Sequence, residues 1–207
     1  MDTSAAESPS SLAALFPSLA MARLVIFFAV RPGGRFHLRE LMRRTCLSNA
    51  SLQREMRRLV AVGAVVRHED GGRVYFSADE AHDAWRGWIL LLRSAAAPSD
   101  VLREALVDAQ GLTGAFVFGS AARGDGRSDS DVDLFLLVDD EARIDPVRRQ
   151  LGEAELLIGK PLDVVEYTTA DARRRAGSGN AFLTRVLREP RRWIYGDATS
   201  LTDEETE

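Results

Sequence analysis

Apolar residues in the first third of the chain recur at helical spacing. A strongly apolar run predicts a helix over Ser18–Val30, and weaker periodicities predict helices over His37–Thr45 and Asn49–Val62. Gly63 directly follows the third helix, and glycine is the residue that most readily ends a helix. The pattern therefore predicts three consecutive helices.

A β-hairpin is predicted next. Residues 65–69 and 73–76 are rich in β-formers and flank the turn Asp70-Gly71-Gly72. Helix, helix, turn, helix and hairpin is the order of a winged helix-turn-helix. Residues 18–78 are therefore predicted to form such a domain.

Beyond residue 97, short apolar segments alternate with helical ones. Strands are predicted at 115–118, 131–138, 162–167 and 193–195, and helices at 100–109, 145–157, 171–176 and 181–187. This alternation indicates an α/β (α+β) fold class, with a mixed sheet covered by helices.

Five segments are predicted along the chain. They are a disordered N-terminus (1–17), the winged helix-turn-helix (18–78), a linker helix (79–97), a second folded domain (98–197) and an acidic tail (198–207).

The composition narrows the classes of protein to consider. A single cysteine excludes an internal disulfide, and with only three histidines it argues against a Cys/His zinc site. The apolar stretch Leu12–Val30 is interrupted by Pro17 and Arg23 and is preceded by acidic residues, which argues against a membrane span or a signal peptide. We expect a cytoplasmic protein that has no membrane partner.

Charge is unevenly distributed. Residues 21–77 hold 11 Arg against 4 Asp/Glu, a net +7, whereas residues 78–207 hold 16 Arg/Lys against 25 Asp/Glu, a net −9. A basic segment suits a phosphate backbone, and an acidic one can hold metal cations. The two parts are therefore predicted to have different tasks.

The basic part resembles winged helix-turn-helix regulators, which implies DNA as a partner and leaves a homodimer open. Its polar residues can contact base edges and phosphates. The alternative is that its arginines only solvate helix surfaces, since the chain holds 26 Arg and one Lys. The predicted DNA-binding residues are Asn49, Ser51, Gln53, Arg54, Arg57, Arg58, Arg67 and Arg73.

A glycine-serine pair and two aspartates carry the candidate chemistry. Gly119-Ser120 follows the predicted strand at 115–118, where a glycine lets backbone amides approach a phosphate. The segment Ser128-Asp129-Ser130-Asp131-Val132-Asp133 comes soon after. Asp131 and Asp133 are two apart on a predicted strand, so their side chains share one face.

Adjacent carboxylates repel each other, and a divalent cation removes that conflict. Mg²⁺ prefers carboxylate oxygens together with substrate phosphates. Asp163, at the start of the next predicted strand, is placed to be a third carboxylate. Three aspartates can hold two metal ions, which is the arrangement that phosphoryl and nucleotidyl transfer use.

The spacing of Gly119-Ser120 and Asp131-x-Asp133 resembles that in the DNA polymerase beta-like nucleotidyltransferases. The residue types around these positions resemble those of the minimal members of that superfamily. The resemblance covers roughly residues 100–195. It implies that Ser120 binds the triphosphate and that Asp131 and Asp133 bind both metals.

The same resemblance implies further roles. Asp163 would bind one metal and help to activate the acceptor, and Gly119, Arg123 and Ser130 would contact the nucleotide.

The function predicted is Mg²⁺- or Mn²⁺-dependent transfer of a nucleoside monophosphate from an NTP to an acceptor hydroxyl, by an enzyme tethered to DNA. One alternative is a transcriptional regulator whose second domain binds nucleotide or a partner protein without turnover. Another is an antitoxin that modifies or blocks a cognate toxin. The acceptor could then be that toxin or another protein.

Overall fold

The structure is a computed structural model that describes residues 11–125, 130–139 and 144–201. The chain divides into two compact units, the first ending at Glu104 and the second beginning at Ala105. Of the predicted motif, Ser128 and Asp129 lie outside the described residues, as do residues 1–10 and 202–207 of the predicted ends.

The first unit is mainly helical, with one small sheet. Its elements are α1 (Ser11–Leu15), α2 (Leu19–Ala29), β1 (Phe36–His37), α3 (Leu38–Thr45), α4 (Asn49–Val62), β2 (Val65–Asp70), β3 (Arg73–Ala78), α5 (Asp83–Ala95) and α6 (Pro98–Ala105). The sheet is antiparallel with the order β1-β3-β2.

The predicted helices and hairpin of this unit are confirmed. Ser18 caps α2 by accepting a hydrogen bond from the Met21 amide, and Ser48 caps α4 in the same way through Ser51. The strand β1 was not predicted, because two residues are too few to show a period of two.

The predicted disorder of residues 1–17 is corrected for residues 11–17. Leu12 is fully buried and Phe16 nearly so, which the Ser/Ala/Pro-rich composition did not reveal. The Ser11 amide and hydroxyl both donate to Asp100 Oδ2 at 2.7 Å. Contacts of this kind place the start of α6 in the first unit, whereas the second domain was predicted from residue 98.

The second unit is a mixed sheet with helices. Its elements are β4 (Leu112–Val117), α7 (Gly119–Arg123), β5 (Val132–Val138), α8 (Asp145–Ile158), β6 (Leu162–Thr168), α9 (Thr169–Gly177), α10 (Ala181–Arg188) and β7 (Arg192–Tyr195). The strand order is β6-β5-β4-β7, parallel between β5 and β6 and antiparallel elsewhere. The predicted fold class is confirmed.

An aromatic core supports this sheet. The Phe116 and Phe135 rings stack 4.8 Å apart and pack with apolar residues of α9 and α10. Residues 198–201, predicted as part of a loose tail, form a short 3-10 helix whose Leu201 packs on this core. That packing makes residues 198–201 part of the second unit.

No helix in the described parts of the chain combines the length and the apolar character needed to cross a membrane.

Candidate active site

The turn from β4 into α7 requires glycine at position 119. Gly119 has φ +64°, a left-handed conformation that strains other residues. A Cβ here would overlap Asp133 Oδ2 and come within 3.0 Å of Asp133 Cγ. The missing side chain therefore gives the Asp133 carboxylate its space, a role that goes beyond the predicted contact with nucleotide.

The N-terminus of α7 has no capping side chain. Phe118 occupies the cap position without a side-chain hydrogen bond, whereas Thr168 and Asn180 cap α9 and α10. The first amides of a helix have no partner inside it and are suited to an anion. Ser120, half-buried in this first turn, is where the sequence predicted a phosphate contact.

Strand pairing brings two of the predicted carboxylates together. In the parallel pair β5 and β6, Asp133 is directly opposite Asp163. Neighbouring strands lie about 4.8 Å apart and opposed residues share a face, so these side chains are adjacent. Asp131 is exposed and precedes β5 by one residue.

The electrostatics of Asp133 show that the other two carboxylates act on it. Burial raises the pKa of Asp133 above its ordinary value, and the charges of Asp163 and Asp131 raise it further. Arg123 partly opposes this increase. The site therefore holds excess negative charge around a half-buried carboxylate, which a cation would relieve.

The donor set fits a divalent cation in its chemistry. Among the described residues, no three His, Cys, Asp or Glu side chains already converge as a metal cage. Mg²⁺ seldom uses such a cage, because it keeps several waters and binds through one or two carboxylates plus substrate phosphates. Asp131 and Asp163 are both exposed, so their side chains have room to turn towards an ion beside Asp133.

Arg123 and Ser130 border the same region. Arg123 ends α7, and its guanidinium binds Asp125 at 3.1 Å and Glu189 at 3.2 Å. Ser130 is half-buried next to Asp131. The described structure relates Gly119, Arg123, Asp131 and Asp163 to Asp133 by close approach, charge or strand pairing, and Ser120 and Ser130 lie next to Gly119 and Asp131 in the chain.

A comparison with protein families adds independent support. Residues 101–176 match the family model described as Polymerase beta, Nucleotidyltransferase. This part of the chain is therefore similar to nucleotidyltransferase domains. The matched range includes the Gly119-Ser120 turn and the three aspartates, and it ends before α10 and β7. A search of curated proteins gives no significant match.

The predicted DNA-binding residues lie in the first unit, on α4 and the β2–β3 hairpin. Gln53 donates to Asn49 at 3.0 Å, and the Arg57 Nε donates to the Gln53 carbonyl. Ser51 is half-buried. The remaining members of the set are exposed: Arg54, Arg58, Arg67 and Arg73.

Two of these arginines also have a structural task that sequence reasoning missed. Arg54 and Arg58 bind the carboxylate of Glu55 at 2.8 and 2.9 Å, and the Glu55 side chain is fully buried. The apolar periodicity of α4 gave no signal for this, because glutamate on a helix is ordinarily exposed.

Glu189, which binds Arg123, was also missed. It lies 66 residues beyond Arg123, and only the tertiary fold joins the two. The same end of the chain supplies Arg192, whose Nε donates to the Ala122 carbonyl at 3.4 Å. No local sequence pattern connects these residues to α7.

Proposed function

We propose that the second unit transfers a nucleoside monophosphate from an NTP to an acceptor hydroxyl, using Mg²⁺ or Mn²⁺. The observation that carries this proposal is the opposition of Asp133 and Asp163 on parallel strands, beside the space left by Gly119. This arrangement places negative charge where divalent cations could bind both the carboxylates and a triphosphate. Binding of the cations would relieve the repulsion between the carboxylates.

The residues have distinct tasks in this reaction. The uncapped amides of α7 and the Ser120 hydroxyl hold the triphosphate. Asp131 and Asp133 would hold the divalent ions, which when bound would supply charge neutralisation for the phosphates and for the acceptor oxygen. Asp163 orients that hydroxyl and accepts its proton.

The bond changes balance without a further reactant. The acceptor oxygen forms a bond to the α-phosphorus of the NTP, and the bond between that phosphorus and the oxygen bridging to the β-phosphorus breaks. Pyrophosphate leaves with the bridging oxygen and its electron pair. Such transfer depends mainly on positioning and charge neutralisation.

The decisive experiment measures transfer from each α-labelled NTP, with Mg²⁺ or Mn²⁺, to protein, RNA and small-molecule acceptors. We expect Asp133→Asn to reduce labelling by at least about 10³-fold, corresponding to about 4 kcal/mol of transition-state stabilisation. Asp139→Asn, at the exposed far end of β5, is the matched control and should keep full activity. Undiminished labelling by Asp133→Asn would refute the site.

The same assay separates the alternative reading. Binding of nucleotide with no transfer to any acceptor would favour a domain that senses nucleotide or holds a partner protein, such as a cognate toxin. In that case Asp133→Asn should change nucleotide affinity alone.

We further propose that the first unit is a winged helix-turn-helix that binds DNA. The order β1-β3-β2, with α3 and α4 connected between β1 and β2, supports this reading. Ser48 and Gly63 bound α4 at its two ends, and its exposed residues include Asn49, Gln53 and Arg57. An exposed polar helix of this kind fits the major groove.

Arg57 gives the cleanest test of DNA binding, because Arg54 and Arg58 also hold Glu55. Arg57→Ala should weaken binding of duplex DNA and reduce the slope of log affinity against log salt by about 1. The exposed Arg86 on α5 is the control, and Arg86→Ala should leave the slope unchanged. Equal slopes for the two variants would contradict this use of α4.

A further inference from the structure

An open cleft runs along α10 in the second unit. Its volume is about 530 Å³, within the range of small-ligand sites. The residues lining it, here called the α10 cleft, are Gly179, Ala181, Thr184, Arg185, Arg188 and Glu189. It lies beyond residues 101–176, which match the nucleotidyltransferase family model.

The charge of this part of the chain differs from the rest of its unit. Residues 169–195 hold seven arginines against two carboxylates, a net +5, whereas residues 105–168 hold six basic against thirteen acidic residues, a net −7. The lining of the α10 cleft belongs to this basic segment and itself holds two arginines against one glutamate, which favours an anionic ligand.

Two exposed arginines are available to such a ligand. Arg185 and Arg188 are three residues apart on α10, so they project from neighbouring positions on one helix face. Arg185 lies over the Phe182 ring at 5.7 Å, and neither arginine forms an ion pair with a carboxylate within the described chain. Guanidinium groups bind phosphate oxygens in a two-pronged geometry, and the Thr184 hydroxyl adds a donor.

One lining residue of the cleft contacts the helix α7 of the candidate active site, and a nearby arginine does so too. Glu189, which lines it, binds Arg123 at 3.2 Å, and Arg192 donates to the Ala122 carbonyl. Arg123 and Ala122 belong to α7, the helix that carries Ser120. A molecule in the cleft would therefore lie beside the proposed triphosphate site.

We propose that the α10 cleft binds a phosphate group of the acceptor, through Arg185, Arg188 and Thr184. This inference rests on the proposed transfer reaction, in which the NTP phosphates already occupy α7 and the aspartates. A second anion-binding cleft beside them then suits the other substrate. The acceptor is thereby a phosphate-bearing molecule, either a nucleic-acid end or a small phosphorylated compound.

The test measures binding to the full chain with Mg²⁺ and a saturating non-hydrolysable ATP analogue. The probes are AMP, adenosine and a single-stranded RNA pentanucleotide. Arg185→Ala combined with Arg188→Ala should weaken AMP binding by about tenfold or more, from loss of charge-assisted hydrogen bonds. Arg149→Ala combined with Arg174→Ala removes equal charge from exposed positions on α8 and α9, and should leave AMP affinity within about twofold.

Adenosine lacks the phosphate and should bind equally weakly to all variants. If the natural acceptor is a nucleic-acid end, the pentanucleotide binds more tightly than AMP, and the cleft variant lowers its salt slope by about 1.4. If it is a small compound, AMP and the pentanucleotide bind alike. Unchanged AMP affinity in the cleft variant, or displacement of AMP by the ATP analogue, would overturn the proposal.

Failure of this inference is distinguishable from failure of the proposed function. Binding is measured without turnover, so loss of AMP affinity in the cleft variant stands even where no transfer is detected. Conversely, transfer that depends on Asp133 but is indifferent to Arg185 and Arg188 would keep the reaction and reject the cleft.

Discussion

Two carboxylates, Glu55 on α4 and Asp133 on β5, are both shielded from water but have neighbours of opposite charge. Burial raises the pKa of both. At Glu55 this effect is outweighed by hydrogen bonds from Arg54, Ser18 and Arg58, so its pKa is lowered overall. At Asp133 the neighbouring aspartates add to the effect of burial, so its pKa is raised.

The difference separates a stabilising site from a candidate catalytic one. Glu55 has its countercharges within its own unit, and its carboxylate links α4 to the Ser18 cap of α2 at 3.0 Å. Asp133 lacks enough countercharge in the described chain, because Arg123 only partly offsets Asp131 and Asp163. Unbalanced charge of this kind is characteristic of sites that are completed by a ligand.

After Asp133→Asn itself, the largest expected effect on transfer comes from filling the space beside Asp133. Gly119→Ala should reduce transfer by about 10²-fold, because the new Cβ displaces the Asp133 carboxylate. Gly124→Ala is the matched control: it has a similar φ of +80° and nothing within 4 Å of its Cβ position. Both variants bear the backbone strain, so similar losses of transfer in the two would contradict the proposed clearance.

Removing the Glu55 charge should reduce stability more than removing the Asp133 charge. Glu55→Gln is expected to reduce the free energy of unfolding of the first unit by about 2 kcal/mol. A fully buried pair would lose more, but Arg54 and Arg58 are 49% and 53% exposed and regain water. Hydrogen exchange at α4 amides measures this loss. Asp133→Asn, by contrast, removes a charge that its neighbours repel. It should leave the β5 amides at least as well protected from exchange as in the wild type.

The Glu55 effect should also depend on pH. A lowered pKa in the folded state contributes stability that is present above the ordinary value of 4.5 and lost as pH falls through the lowered value. The stability difference between wild type and Glu55→Gln should therefore be full at neutral pH and shrink below about pH 4. A difference that grows on acidification would contradict the assigned bonds.

A divalent cation should supply Asp133 with the countercharge that Glu55 already has. Mg²⁺ at about ten times its dissociation constant should stabilise the second unit by about 1.4 kcal/mol. The increase should appear as slower hydrogen exchange in β5 and β6. It should be absent in Asp133→Asn and retained in Asp139→Asn. Equal stabilisation of both variants would place the ion elsewhere.

Much of the local structure could be predicted from the sequence. The bounds of α4 and the turn between β2 and β3 follow from periodicity, a serine cap and glycines, which are short-range effects. Residues 11–17 and β1 were not predicted, since their order depends on burial against distant residues.

The sequence by itself determined the identity of the candidate chemistry. Gly119-Ser120 and Asp131-x-Asp133 are close along the chain, and this spacing alone predicted a shared site. The predicted strand began one residue too early, because Asp131 precedes β5.

Only the tertiary structure decided which distant groups join them. It set Asp163 opposite Asp133, brought Glu189 to Arg123 and buried Glu55 among cations. Strand register and burial depend on how the whole core packs, and a local pattern does not carry that information.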